Sequence, residues 1–222
     1  METSTPDYQS GGSGVSPTPG LQIQQCEWGD VKRLITEVHY ARRAAGRQFC
    51  FKLVEDTQTV GAVTYGPPSS PQVARSILTD ATPLVELTRL VIITSTPNAA
   101  SKLVGVSRRF LPTPRVVISY ADSGQGHVGY VYQATGFRYA GLVAPHDSEY
   151  LVDGKRVHPR TLAARGITNP RRWARENNIQ WVPIEPKHRY WWASPGVSVK
   201  WPSLSYPKGE SRRYDAPNKD RA

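Results

Sequence analysis

The chain has 222 residues, a net charge of +10 and only two cysteines, Cys26 and Cys50. That length supports one sizeable domain with its own core, and the cysteine count argues against a disulfide framework. No apolar run approaches the roughly 18 residues of a membrane span, and METSTPDYQSGGSG at the start shows no signal pattern, so a soluble cytoplasmic protein is expected.

Residues 1–22, rich in Ser, Thr, Gly and Pro, cannot bury enough apolar surface to order and read as a flexible leader. Over 30–46, Val31, Leu34, Ile35, Val38 and Ala41 recur at helical spacing; Asp30 can cap this helix, Gly46 can end it, and His39 and Tyr40 lie near its end. FCFKLVE (49–55) and TVGAVTYG (59–66) read as a hairpin. After the GPPSSPQ link, VELTRLVIIT (85–94) is the longest β-branched run and predicts a central strand. A helix over 98–110 opens directly after it. A strand at 116–120, a short helix at 131–135 and a strand at 137–143 complete the order. The class is α/β, a mixed central sheet flanked by helices.

All of the excess charge lies toward the C-terminus, where residues 155–222 hold 15 Lys and Arg against 5 Asp and Glu. Five of the six tryptophans lie there too, Trp173, Trp181, Trp191, Trp192 and Trp201, among arginines such as Arg171, Arg172 and Arg175. Cations beside aromatic faces suit a phosphate backbone and an unstacked base. A solvated basic surface over a small tryptophan core suits the composition equally well.

The element order resembles the GNAT acyltransferase fold. The resemblance implies that the helix after the central strand holds the pyrophosphate of coenzyme A on its N-terminal amides, here Asn98, Ala99, Ala100 and Ser101, with Arg89 on the preceding strand and acetyl-CoA as the cofactor. The matching turn, TSTPNAAS, lacks the glycine-rich Q/R-x-x-G-x-G/A sequence of that fold. YQATGF (132–137) resembles its late Y-x-x-x-G-F segment, in which a tyrosine serves as general acid for the departing thiolate.

EVHYARR, ELTRLVI, SYADSGQGHVGYVYQATGFRYAG, GKRVHPRTL and KHRYWW together resemble the bacteriophage Mom family, GNAT-like proteins that convert adenine in phage DNA to N6-carbamoylmethyladenine and shield it from host restriction. The resemblance implies a modification domain over 23–193, basic from about 155, and leaves 194–222 as a basic, disordered tail. It also implies DNA as partner, a location in the host cytoplasm, and iron held by His39, Tyr40, Asp122 and Tyr132. A homodimer is compatible with it.

Adenine N6 is a poor nucleophile because its lone pair is delocalised, so the chemistry needs a base and an activated donor. Asp122 is the candidate base, and Tyr132 the candidate acid. His127, among the glycines of the same loop, is placed to orient Asp122 or bond the substrate, and Ser119 to sit beside Asp122. A buried Arg89 would need a carboxylate, either Glu86 or Asp122. The target amine lies in the duplex stack, so base extrusion or single-strand access is expected, with Tyr40, Trp191 or Trp192 holding the base and Arg171, Arg172 and Arg175 the phosphates. Two other readings remain: an N-acyltransferase acting on another amine, and a non-catalytic DNA-binding module.

Overall fold

A computed structural model describes residues 20–143 and 148–209, apart from the side chain of Arg160. β1 (Gln22–Cys26) leads into α1 (Trp28–Arg33), which continues as a π-helical turn over Leu34–Val38. The hairpin β2 (Phe49–Glu55) and β3 (Gln58–Gly66) follows, then α2 (Pro71–Ile77), β4 (Leu84–Ile92), α3 (Ala99–Ser107), β5 (Val116–Asp122), α4 (Tyr130–Ala134) and β6 (Arg138–Val143). A second group comprises β7 (Ser148–Val152), β8 (Lys155–Val157), α5 (Pro159–Ala164), α6 (Pro170–Glu176) and β9 (Trp181–Pro183). Among the described residues the last strand is β10 (Lys187–Ala193).

The main sheet has the order β1-β2-β3-β4-β5-β10-β6. Its neighbours are antiparallel except β4 and β5, so the sheet is mixed, as expected. Alternation along β5 sorts its two faces: Val117 and Ala121 pack with Leu103 and Val104 of α3, whereas Val116 and Ile118 pack with Ile77 of α2 and with Trp191 and Trp201. α1 covers a third cluster through Val31, with Leu34 and Ile35 of the π turn beside it. The second group forms its own sheet, β8-β7-β9, with Tyr150, Leu162 and Ala174 buried in a small core. It is an insertion between two strands, β6 and β10, that lie side by side.

Several expectations shift. The first helix spans Trp28–Val38 rather than 30–46, and Asp30 sits inside it, accepting the Glu27 amide in a capping box. β1 starts at the end of the expected leader; residues 1–19 lie outside the described part. The proline-rich link carries α2, with Pro71 in its first turn, where a missing N–H has no consequence. Ser194–Gly209, expected to be disordered, packs on the sheet: Lys200 N–H donates to Ile77 O at 2.8 Å, Leu204 N–H to Tyr139 O at 2.8 Å, and Trp201 is buried. Among the described residues no helix is long and apolar enough to cross a membrane.

Candidate active site at the β4–β5 cleft

β4 and β5 stay paired over only three positions, Leu84–Val116 to Glu86–Ile118. Just beyond, the Ser119 hydroxyl donates to Leu87 O at 3.2 Å, and the strands then part. Side chains from four elements meet at this opening: His39 and Tyr40 after the π turn, Arg89 from β4, Ser119 and Asp122 from β5, and Tyr132 from α4. His127 joins them from the loop after β5.

The π turn presents the first pair. His39 N–H donates to Leu34 O at 2.9 Å, one residue wider than an α-helical bond, and the chain turns extended at His39. The His39 ring is buried and stacks on Tyr40 at 4.4 Å between centroids, and Tyr40 meets His127 edge-on at 6.0 Å. Burial, reinforced by Arg89 and His127, lowers the His39 pKa to about 4, so the ring is neutral at physiological pH. Its Nδ1 accepts the Ala41 N–H at 3.0 Å, which leaves the ring proton on Nε2. Tyr40 is 49% exposed, and its hydroxyl meets the Asp122 carboxylate. Desolvation there and the facing Asp122 carboxylate raise its pKa.

Asp122 ends β5. Its Oδ1 accepts the Gly124 N–H at 3.1 Å, its backbone carbonyl accepts the His127 N–H at 3.1 Å, and its Oδ2 lies 3.5 Å from the Lys187 ammonium. The loop closes against Tyr190, and a Cβ on Gly129 would come within 2.4 Å of that ring, so glycine is required by space as well as by its φ of 88°. Tyr132 is buried beside the Ser119 hydroxyl, and desolvation pushes its pKa up to about 12. It is a neutral phenol with a proton to give.

Arg89 departs from expectation. Its Nε donates to Arg43 O at 3.2 Å and its Nη1 to Thr88 O, and none of the ion pairs among the described residues includes it. Asp122 is instead partnered by Lys187. Lys187 was missed because KHRYWW did not read as a strand; the antiparallel register of β10 places it directly opposite Asp122.

The sequence matches the Mom protein family over residues 20–208. The chain belongs to the Mom family. A curated relative is the methylcarbamoylase mom of Escherichia phage Mu, 29% identical over 153 residues, or 65% of this chain. The match spans 62% of that relative's length. Among solved structures, Arabidopsis thaliana NAA60 in complex with acetyl-CoA superimposes with a TM-score of 0.52 at 13% identity, over 80% of this chain and 100% of that one; its complex with a bisubstrate analogue gives 0.51 over the same shares. The shared feature is the fold, a GNAT-like sheet carrying a Mom-family sequence.

A groove of about 400 Å³ between α3 and α4 is lined by Asn98, Ser101, Lys102, Arg108, Arg109 and Thr135, a cationic lining that fits a phosphate-bearing ligand such as coenzyme A. Ala99, Ala100 and Ser101 form the first turn of α3, where helix amides lack internal acceptors. The turn before it differs from the glycine-rich pattern in a definite way: the Thr94 and Thr96 hydroxyls both donate to the Glu55 carboxylate, the first at 2.7 Å. A carboxylate therefore stands beside the turn that precedes α3.

The four donors implied for iron, His39, Tyr40, Asp122 and Tyr132, are gathered at the cleft. His39 Nδ1 is occupied by the Ala41 N–H, two of the four donors are phenols, and the described residues contain no group of three His, Cys, Asp or Glu side chains able to hold a metal. Trp191 and Trp192 do not lie in the cleft. Trp191 is buried in the core with Nε1–H donating to Pro202 O at 2.9 Å, and Trp192 lies under the Arg108 guanidinium at 4.3 Å. Arg171, Arg172 and Arg175 are exposed on α6 of the insertion, and Arg172 is paired with Glu176 at 2.6 Å.

Proposed function

We propose that this protein modifies the N6 amine of adenine in DNA, converting it to N6-carbamoylmethyladenine and thereby shielding phage DNA from host restriction. The observation that carries this reading is the meeting of Asp122, from the end of β5, with Tyr40 and Tyr132 at the open end of the β4–β5 cleft. Membership of the Mom family and the methylcarbamoylase name of the phage Mu relative support the substrate.

Tyr40 offers the extruded adenine a half-exposed aromatic face, stacked from behind by His39, which keeps that ring from rotating. The Asp122 carboxylate takes the N6 proton as N6 bonds to the donor carbon. The bond from that carbon to its leaving group breaks in the same step, and the Tyr132 phenol protonates the leaving group. Lys187 balances the Asp122 charge before transfer. Displacement at the acyl carbon of a coenzyme A thioester, whose phosphates Lys102 and Arg109 would hold, gives an N6-acyl product, so the carbamoylmethyl product requires a donor whose CH2 carbon bears both the carboxamide and the leaving group.

Nucleoside mass spectrometry of DNA from cells expressing the protein tests the reading. A deoxyadenosine heavier by C2H3NO is expected. A gain of C2H2O would indicate plain acetylation, and unmodified DNA that still binds the protein would leave a DNA-binding module.

A further inference from the structure

The insertion has a concavity of about 500 Å³ between α6 and β9, lined by Ala174, Arg175, Asn178, Ile179, Gln180 and Trp181. Its apolar part is the buried Ala174 and the half-buried Ile179. Trp181 is 41% exposed although it belongs to a strand, and Arg175, Asn178 and Gln180 are also exposed. Among the described residues, no hydrogen bond or ion pair engages the side chains of Arg175, Asn178 or Gln180. The concavity thus offers an aromatic face, two amides with both donors and acceptors, and a guanidinium. That chemistry matches a nucleobase: a ring to stack on, and edges that Asn, Gln and Arg read. Arg175 lines the concavity and Arg171 stands four residues before it on the same face of α6, charges suited to phosphates.

The fold also limits its distance from the cleft. Lys187, whose ammonium lies 3.5 Å from Asp122, is six positions after Trp181, and six residues span at most about 20 Å between Cα atoms. At about 3.4 Å per nucleotide of stacked strand, that is about six nucleotides. We infer that the concavity between α6 and β9 is a nucleobase subsite, seating one unstacked base of the DNA strand on Trp181, within about six nucleotides of the adenine at the cleft. This inference rests on the DNA-modification reading.

The test uses fluorescence anisotropy with labelled single-stranded oligonucleotides holding one adenine and an abasic site moved stepwise away from it. Wild-type protein should lose affinity at one abasic position within about six nucleotides of the adenine, and Trp181→Ala should bind all oligonucleotides equally, weaker than wild type by roughly tenfold to a hundredfold, the effect of one lost stacking contact. Trp181→Tyr, which keeps the stacking face, should restore the wild-type pattern and shows that the loss is not one of folding. Trp181→Ala binding like wild type, or an abasic scan without a sensitive position, overturns the subsite while DNA modification by wild type stands. Wild-type protein that neither binds nor modifies DNA overturns both.

Discussion

Lys187 stands directly across the sheet from Asp122, the first residue of β10 facing the last of β5, with 3.5 Å between ammonium and carboxylate. The pair joins the cleft to the strand that carries the chain out of the insertion. Lys187 is 43% exposed and Asp122 18%, so the pair contributes about 1 kcal/mol or less to stability. Lys187→Met should therefore leave the melting temperature nearly unchanged while reducing DNA modification by roughly tenfold or more, because the base loses its counter-charge. Modified-nucleoside yield set against a melting curve separates the two effects, and equal losses in both would make Lys187 a structural residue.

Tyr132→Phe removes a proton donor without orphaning its neighbour, since the Ser119 hydroxyl keeps its bond to Leu87 O. Stability should fall by about 1 kcal/mol or less, while modification is lost. Substantial product from this variant would reassign the acid.

The buried, neutral His39 sets a pH dependence. Its pKa in the folded protein, about 4, lies below the ordinary 6.5, so protons bind the unfolded chain more readily. Its contribution to stability is complete above about pH 6.5 and is lost as pH falls toward 4, at up to about 1.4 kcal/mol per pH unit. Urea titrations across that window should show the slope, and His39→Asn should flatten it. His127 and His188, lowered chiefly by burial, would sustain a weaker residual slope. An unchanged slope in the variant would mean that His39 is charged in the folded state.

A coenzyme A pyrophosphate held at the start of α3 would meet the negative charge of Glu55. Its two threonine partners hold a negative charge beside the turn before α3, so Glu55→Gln should tighten coenzyme A binding by roughly fivefold, the effect of removing one like charge in a solvated setting. Acetyl-CoA should raise the melting temperature of the variant more than that of wild type. If millimolar acetyl-CoA shifts neither protein, this chain draws its donor from another class.

The parts of the fold with local signals were legible in the sequence. The β2–β3 hairpin declares itself by its β-formers and short turn, and β4 by its run of branched residues. β10 was not legible, because its aromatics resemble a ligand surface until the antiparallel pairing with β5 puts Trp191 opposite Ile118 in the core. The packed stretch after Ser194 was hidden by its Pro, Ser and Lys content, since it is held by separate contacts such as Trp201 Nε1–H to Ser76 Oγ at 3.0 Å rather than by a periodic face. In the site, the His39–Tyr40 pair, Asp122 and Tyr132 come from three separate elements, so only the family resemblance joined them. Lys187 and Glu55 act through register and reach, which no local pattern encodes.

The position of β10 governs the order in which the molecule can be completed. β5 and β6 lie close together in the chain, yet the strand between them is the last made, after the whole insertion. During synthesis their facing edges stay unpaired, an invitation to non-native strand pairing. The insertion, with its own core, has the means to fold in that interval. A chain cut short before residue 187 lacks both the closing strand and the cation that faces Asp122, so incomplete copies hold an unfinished cleft.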